Sequence, residues 1–267
     1  MCGICGCSDE AHAPSSEHAH GPAAASAHPH PHEHAPGLDP HPGVRDLEAH
    51  WIRLEHDVLH KNAHLAEHNR AWFHQRRVLA LNLVSSPGSG KTTLLERIIV
   101  ESGFEVRVVQ GDQATARDAE RIRRAGARAV QINTGTGCHL DAAMVARAAS
   151  DLDPPAGSIL AIENVGNLVC PALFDLGEHV RIAVLSVPEG ADKPLKYPYL
   201  FRSSHLVVIN KVDLLAHVDF DMDDCLDAVR RVNPDARVLP LSARTGAGLA
   251  ELHGCLRELS ASASAQK

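Results

Sequence analysis

The clearest chemistry in this chain lies in one stretch, Ser85-Ser86-Pro87-Gly88-Ser89-Gly90-Lys91-Thr92-Thr93. A glycine-rich turn exposes backbone N–H groups, and a helix opening directly after it adds its N-terminal dipole, so the pattern makes an anion cradle. Ser86, Gly88, Ser89, Gly90 and Thr93 are expected to wrap a polyphosphate. Lys91 is expected to reach its β- and γ-phosphates and the Thr92 hydroxyl to bind Mg²⁺. The usual pattern, G-x-x-x-x-G-K-[ST], opens on glycine, and Ser85 stands in that place. The context supports the assignment: an apolar strand pattern over residues 78–84 precedes the turn, and a helical pattern over 94–99 follows it.

A second stretch addresses the base. An apolar run at 206–209 leads into Asn210-Lys211-Val212-Asp213. One Asp213 carboxylate can accept both N1–H and N2–H₂ of guanine, whereas adenine presents neither donor there. A mismatched base leaves a buried charge unpaired, and such sites discriminate sharply. Asn210 is expected on the N7/O6 edge, the Lys211 stem over the ring, and a backbone N–H of Ser242-Ala243-Arg244 on O6. The expected nucleotide is GTP. Two acids sit at carboxyl ends of predicted strands, the edge where nucleotides bind: Asp112 after strand 105–109 and Glu163 ending strand 158–163. Both are expected on the Mg²⁺ and water side, with Lys91 the third catalytic group. Asp112 also suits the N-cap of a helix over 115–125.

Soft ligands form a third set. Cys138-His139 follow a strand at 127–132, and Cys170 follows the strand ending at Glu163, so both loops leave the nucleotide edge. Together they make a Cys₂His set with an open position, apt for zinc or nickel. Spacing alone leaves equally open a buried cysteine beside a capping histidine. At the start, MCGICGC carries Cys2, Cys5 and Cys7, which can converge on zinc, nickel, copper(I) or an iron–sulfur unit, with no fourth ligand visible. Residues 8–43 hold His12, His18, His20, His28, His30, His32, His34 and His41 among prolines and alanines. That composition predicts a disordered segment that buffers divalent metal. Over 46–76 the pattern turns helical, with an apolar stripe of Leu47, Trp51, Leu54, Val58 and Leu65. His56, His60, His64 and His68 repeat every four residues on another face, where a solvated surface is the plainer expectation and metal sharing the sharper one.

The 267 residues divide into a Cys/His-rich tail (1–45), a helix (46–76), an α/β nucleotide domain with a mostly parallel sheet flanked by helices (77–259), and a frayed end (260–267). Residues 188–198, with three prolines, read as a mobile loop before a short helix to residue 201. A net charge of −7 gives no basic footprint for nucleic acid. No run of 18 apolar residues suggests a membrane span, and the first residues lack signal-peptide character. Seven cysteines without secretion signals predict reduced thiols in the cytoplasm.

The phosphate loop, Gly137-Cys138-His139-Leu140-Asp141, the ENVGNLVCP segment ending at Pro171, DKPLKYP ending at Pro198, and NKVD stand together in a fixed order. In this the chain resembles the HypB family, GTPases that assist nickel insertion into [NiFe]-hydrogenase, across residues 46 to 259 and the MCGICGC start. The resemblance implies a P-loop GTPase fold and slow intrinsic hydrolysis to GDP and phosphate. It further implies a homodimer formed with nucleotide or metal, and partners in nickel delivery, among them the hydrogenase large-subunit precursor. It maps a nickel site to Cys2, Cys5 and Cys7, and a zinc or nickel site to Cys138, His139 and Cys170. The histidines at 56, 60, 64 and 68 match no motif of that family.

Overall fold

The structure, a computed structural model, describes residues 42–111, 116–134 and 137–265, with side chains from 57 onward except 112–117, 135–136 and 264–267. Cys2, Cys5, Cys7, the histidine tract, the His56 side chain and Asp112 therefore lie outside the described residues. The chain forms two compact units, 1–57 and 58–267. Within the first, the described residues are the opening turns of helix α1 (Pro42–Gln75).

The second unit is built on seven strands: β1 (Leu79–Ser85), β2 (Val106–Gly111), β3 (Arg128–Ile132), β4 (Ile159–Gly166), β5 (Val180–Ser186), β6 (Leu206–Asn210) and β7 (Arg237–Pro240). They pair in the order β3-β2-β4-β1-β5-β6-β7, every pair parallel. Central strands of such a sheet are covered on both faces and read as continuous apolar runs, and all seven residues of β1 and of β5 are buried. Alternation divides the core. Leu79, Leu81 and Leu83 point to one side, onto α2 (Lys91–Glu101), α3 (Ala116–Arg124) and α9 (Leu249–Ala265) through Leu94, Ile98, Ile122 and Leu252. Ala80, Leu160 and Ile162 point to the other, onto α4 (Ala142–Leu152) and Phe73 of α1, while Val84 and Val207 meet α7 (Pro198–Arg202) and α8 (Met222–Val232). No described helix is long and apolar enough to cross a membrane.

Four expectations change. The fourth strand does not end at Glu163: past a register shift it continues to Gly166, which pairs with Ser85. Asn164 fits inside a buried strand because its amide donates to Asn82 Oδ1 (3.2 Å), which satisfies the polar group. The closing helix runs on to Ala265, since Ala and Ser carry no breaker and Ala263 packs against the core. Where residues 188–198 were expected as a mobile loop, they form the end of a 3₁₀ turn (Val187–Glu189), held by a Ser186/Glu189 capping box, and α6 (Lys193–Lys196); the short helix expected to residue 201 is α7. Finally, the second unit's part of α1 does not bury the expected apolar stripe. Val58 is 46% exposed, while Asn62, Ala66, Asn69 and Phe73 face inward at spacings of four, three and four. His60, His64 and His68 are exposed, with the rings of His64 and His68 4.7 Å apart.

The docking of α1 includes a forked pair in which Arg70 Nη2 donates to both Asp175 carboxylate oxygens (2.9 and 2.8 Å). Burial pushes the Asp175 carboxyl up, but the Arg70 bonds and the Gly177 N–H outweigh it and hold the group below its ordinary value of 3.8. The contribution of a depressed folded value is complete above the unfolded value of 3.8 and is lost as pH falls from there through the lowered folded value. Hydrogen exchange at residues 60–75 is expected to accelerate as pH falls below 3.8, and Arg70→Ala should reduce this acid dependence.

Candidate functional site

β1 delivers the chain into the phosphate loop, and α2 begins at Lys91. Gly90 takes φ +100, and a Cβ there would lie 2.4 Å from Asn210 Nδ2, so the residue must be glycine. Ser85, where the pattern has glycine, has a defined place: its Oγ accepts from Lys91 Nζ (2.7 Å) and from Ser89 Oγ (2.5 Å). Its hydroxyl thus holds the ammonium at the mouth of the loop. The Thr92 hydroxyl donates to Glu163 Oε1 (2.5 Å), and Gln110 Nε2 donates to Glu163 Oε2 (3.0 Å). A hydroxyl and a carboxylate in contact are hard oxygen donors of the kind Mg²⁺ takes. Ser89, Gly90, Lys91, Thr92 and Glu163 border a cavity of about 710 Å³, which Arg121, Gly137, Cys138 and Asn167 also line.

Sequence reasoning missed Arg121 and Gln110. The Arg121 guanidinium donates to Glu96 (2.9 and 2.6 Å) and to Thr93 Oγ1 (3.0 Å), and the Glu96 bond raises its pKa further, so it is a fixed cation at the phosphate end. An arginine in an amphipathic helix gives no sign of this position before the fold is known. Gln110 is buried, and its Oε1 has no hydrogen-bond partner among the described residues. Only its place two residues before Asp112 could have drawn attention to it.

The base-reading candidates lie at the carboxyl end of β6 and after β7. Asn210 Nδ2 donates to Ser89 O (2.9 Å), while its Oδ1 accepts from Ala243 N (3.0 Å) and Lys211 N (2.8 Å). This one amide ties the phosphate loop to the 242–244 segment. Lys211 Nζ reaches Gly88 O (2.7 Å). Asp213 accepts from Ser242 Oγ (2.5 Å) and from Arg244 Nε and Nη2 (3.1 and 2.7 Å). The Ser242 bond first, then Arg244, hold its carboxyl below the usual range, so it is ionised and an acceptor only. Lys193 pairs with Glu189 of the preceding 3₁₀ turn (3.9 Å), and Lys196 with Asp192 (2.6 Å).

The soft ligands do converge. Cys138, His139 and Cys170 each place one donor atom within 4.8 Å of the others, the only such three-residue group of Cys, His and acids among the described residues. Cys138 Sγ lies 2.8 Å from Cys170 Sγ and 3.7 Å from His139 Nδ1. Cys170 opens α5 (Cys170–Leu173), and Asp141 caps α4 by accepting from Met144 N (2.7 Å). The His139 ring stacks on Phe174 at 3.8 Å. Burial lowers the His139 pKa, which Asp141 partly opposes, and favours the neutral imidazole that ligates metal. Two thiols and one imidazole fit zinc or nickel. Cys225, by contrast, is an isolated core thiol that burial pushes up to about 11.

The Cys138/His139/Cys170 cluster and the cavity beside the phosphate loop share a wall. Cys138 lines that cavity, and Leu140 lies against Gly111 at the end of β2, where a Cβ would come within 2.4 Å of the leucine side chain.

Residues 79–240 match the CobW/HypB/UreG nucleotide-binding domain family. Hydrogenase maturation factor HypB of Azotobacter vinelandii is 50% identical over 272 residues, spanning 94% of this chain and 90% of that protein. HypB of Escherichia coli K12 is 54% identical over 200 residues, 74% of this chain and 69% of that one. Two solved structures superpose with a TM-score of 0.71. HypB from Archaeoglobus fulgidus is 39% identical and covers 75% of this chain and 98% of its own, and HypB from Helicobacter pylori in complex with nickel is 38% identical and covers 76% and 96%.

Proposed function

This chain belongs to the HypB family of hydrogenase maturation factors, and we propose that it is a GTPase whose nucleotide state governs nickel held by Cys138, His139 and Cys170. The observation that carries this reading is the shared wall: a metal-ligating thiol lines the phosphate cavity, and the next residue but one packs on the strand end beneath it.

In this reading Ser86 to Thr93 wrap the phosphates of GTP, Asp213 with Ser242 and Ala243 selects guanine, and Asn210 and Lys211 join base to phosphate loop. Lys91, bonded in the structure to Ser85, places its positive charge against the β- and γ-phosphates. Thr92 and Glu163 hold Mg²⁺, which when bound neutralises charge on the phosphate oxygens. Glu163, with Asp112, orients the attacking water for hydrolysis to GDP and phosphate. Gln110 fixes the Glu163 carboxylate from the other side.

Hydrolysis shifts the loops that meet the γ-phosphate, and the shared wall carries that shift to the Cys138 loop. A coupling of about 1–3 kcal/mol changes nickel affinity roughly 5- to 150-fold and by reciprocity changes nucleotide affinity equally. The nickel ion is cargo, destined for the hydrogenase large-subunit precursor through delivery partners in the cytoplasm. Zinc is a second occupant of the same ligands. Cys2, Cys5 and Cys7 form a separate nickel site, the histidine tract a store, and the working form is a nucleotide- or metal-dependent homodimer. The nickel complex of the Helicobacter pylori relative supports the cargo assignment.

Cys138→Ser and Cys170→Ser are each expected to remove one equivalent of bound nickel per chain, measured by equilibrium dialysis with elemental analysis. Unchanged stoichiometry with lowered thermal stability would instead make the two cysteines core residues.

A further inference from the structure

Two buried asparagines on α1 each bridge the same pair of segments. Asn62 Oδ1 accepts from Ala142 N (2.9 Å), and its Nδ2 donates to Asp175 O (2.7 Å). Asn69 Nδ2 donates to Ala142 O (2.8 Å) and to Leu176 O (3.0 Å). Arg70 adds its fork onto Asp175. The approach is close enough to require glycine at 177, which takes φ +84 and where a Cβ would lie 2.4 Å from Ala66 O. Ala142 opens α4, shortly after His139, and Asp175 follows Phe174, the residue on which the His139 ring stacks.

We propose that α1 is a positioning element for the Cys138/His139/Cys170 cluster, with Asn62 and Asn69 setting the span between the segment that carries Cys138 and His139 and the segment that carries Cys170. The inference rests on the reading that these three side chains bind metal. Its physical basis is the origin of the donors, two from one loop and one from another. If the loops moved independently, metal binding would have to order them, and that entropy cost would be subtracted from affinity. An apolar helix face could hold either loop without fixing one against the other. An amide bonded to both loops does fix them. Two such amides, two helical turns apart, resist separation and relative rotation alike. The polarity has the same explanation, since a buried amide is stable only when it is hydrogen-bonded, as the Nδ2 groups of both asparagines and the Asn62 Oδ1 are here. The polar tie continues inward: Leu176 N donates to Glu178 Oε2 (2.8 Å), Asn82 Nδ2 to Glu178 Oε1 (3.0 Å), and Asn164 Nδ2 to Asn82 Oδ1 (3.2 Å), reaching the strand residue next to Glu163.

The test uses the full chain carrying Cys2→Ser, Cys5→Ser and Cys7→Ser, so that thiolate-to-cobalt charge transfer reports Cys138 and Cys170. Co²⁺ is titrated into this parent and into Asn62→Ala and Asn69→Ala versions of it. Each is expected to lose about 10- to 100-fold in Co²⁺ affinity, the range for groups that orient metal ligands, and to absorb less per bound ion. Asn233→Ala is the matched control. That half-buried amide ties α8 to Phe201 O (2.9 Å) and Ser204 O (2.8 Å), and its loss should leave affinity and spectrum as in the parent. Arg70→Ala, a milder change on the half-exposed edge of the same contact, gives a second reading if Asn69→Ala does not fold, and is expected to weaken Co²⁺ binding in the same direction. Parent-like affinity and absorption in the folded α1 variants, or an equal loss in Asn233→Ala, would overturn the proposal. A folded parent with no charge-transfer band would refute the three-ligand reading itself, and the positioning role with it.

Discussion

Replacing Lys91 by alanine is expected to lower GTP turnover by roughly 10²–10³-fold, the usual consequence of removing a preorganised donor aimed at developing charge. The side chain is almost fully buried at the start of α2, and its ammonium rests 2.7 Å from Ser85 Oγ. The loss is expected mainly in the single-turnover rate of phosphate release at saturating GTP and Mg²⁺, because hydrolysis places more negative charge near Nζ than binding does. The loop backbone, which supplies much of the ground-state contact, is untouched. Turnover within a factor of two of the parent would remove the phosphate-loop assignment.

The second large effect is expected at Asp213. Its carboxylate is ionised, with Oδ1 accepting from Ser242 and Oδ2 from Arg244. Asp213→Asn replaces one acceptor with a donor facing guanine's own N–H groups, which exchanges a charge-assisted bond for a donor–donor clash. GTP affinity should fall by roughly 10²-fold or more. The same change suits xanthine, whose C2 carbonyl accepts where guanine donates, so XTP should bind the variant better than GTP does. Competition titrations with the two nucleotides read this directly, and an unchanged preference for GTP would mean that the base is read elsewhere.

Much of this arrangement is visible in the sequence because it is local. Ser85 to Thr93, Asn210 to Asp213 and the strand patterns before them are runs in which neighbours in sequence do the chemistry together, and the parallel sheet places them on one edge as expected. The Cys138, His139 and Cys170 donors gather for the same topological reason, since each loop leaves a strand at that edge. What stayed hidden depends on distant partners. An apolar-periodicity reading of α1 selects Val58, which is exposed, and passes over Asn62 and Asn69, because buried asparagine is recognisable only once the backbone groups it satisfies are known. Ser85 looked like a lapse from a glycine pattern until Lys91 Nζ was found on its hydroxyl. β4 read as ending at Glu163 because Asn and Gly usually break strands, yet Asn82 and the pairing with Ser85 carry it to Gly166. Arg121 acquires its place beside the phosphate loop only through Glu96 and Thr93 of α2.

The central claim, that nucleotide state governs the metal held by Cys138, His139 and Cys170, is tested most directly by nickel titration of the full chain and of a shortened chain beginning at Val44, each with GDP and with a non-hydrolysable GTP analogue. Nickel affinity of the shortened chain should differ between the two nucleotides by roughly 5- to 150-fold. Nickel binding confined to the full chain and indifferent to nucleotide would contradict the claim and leave storage by the amino-terminal cysteines and histidines as the function.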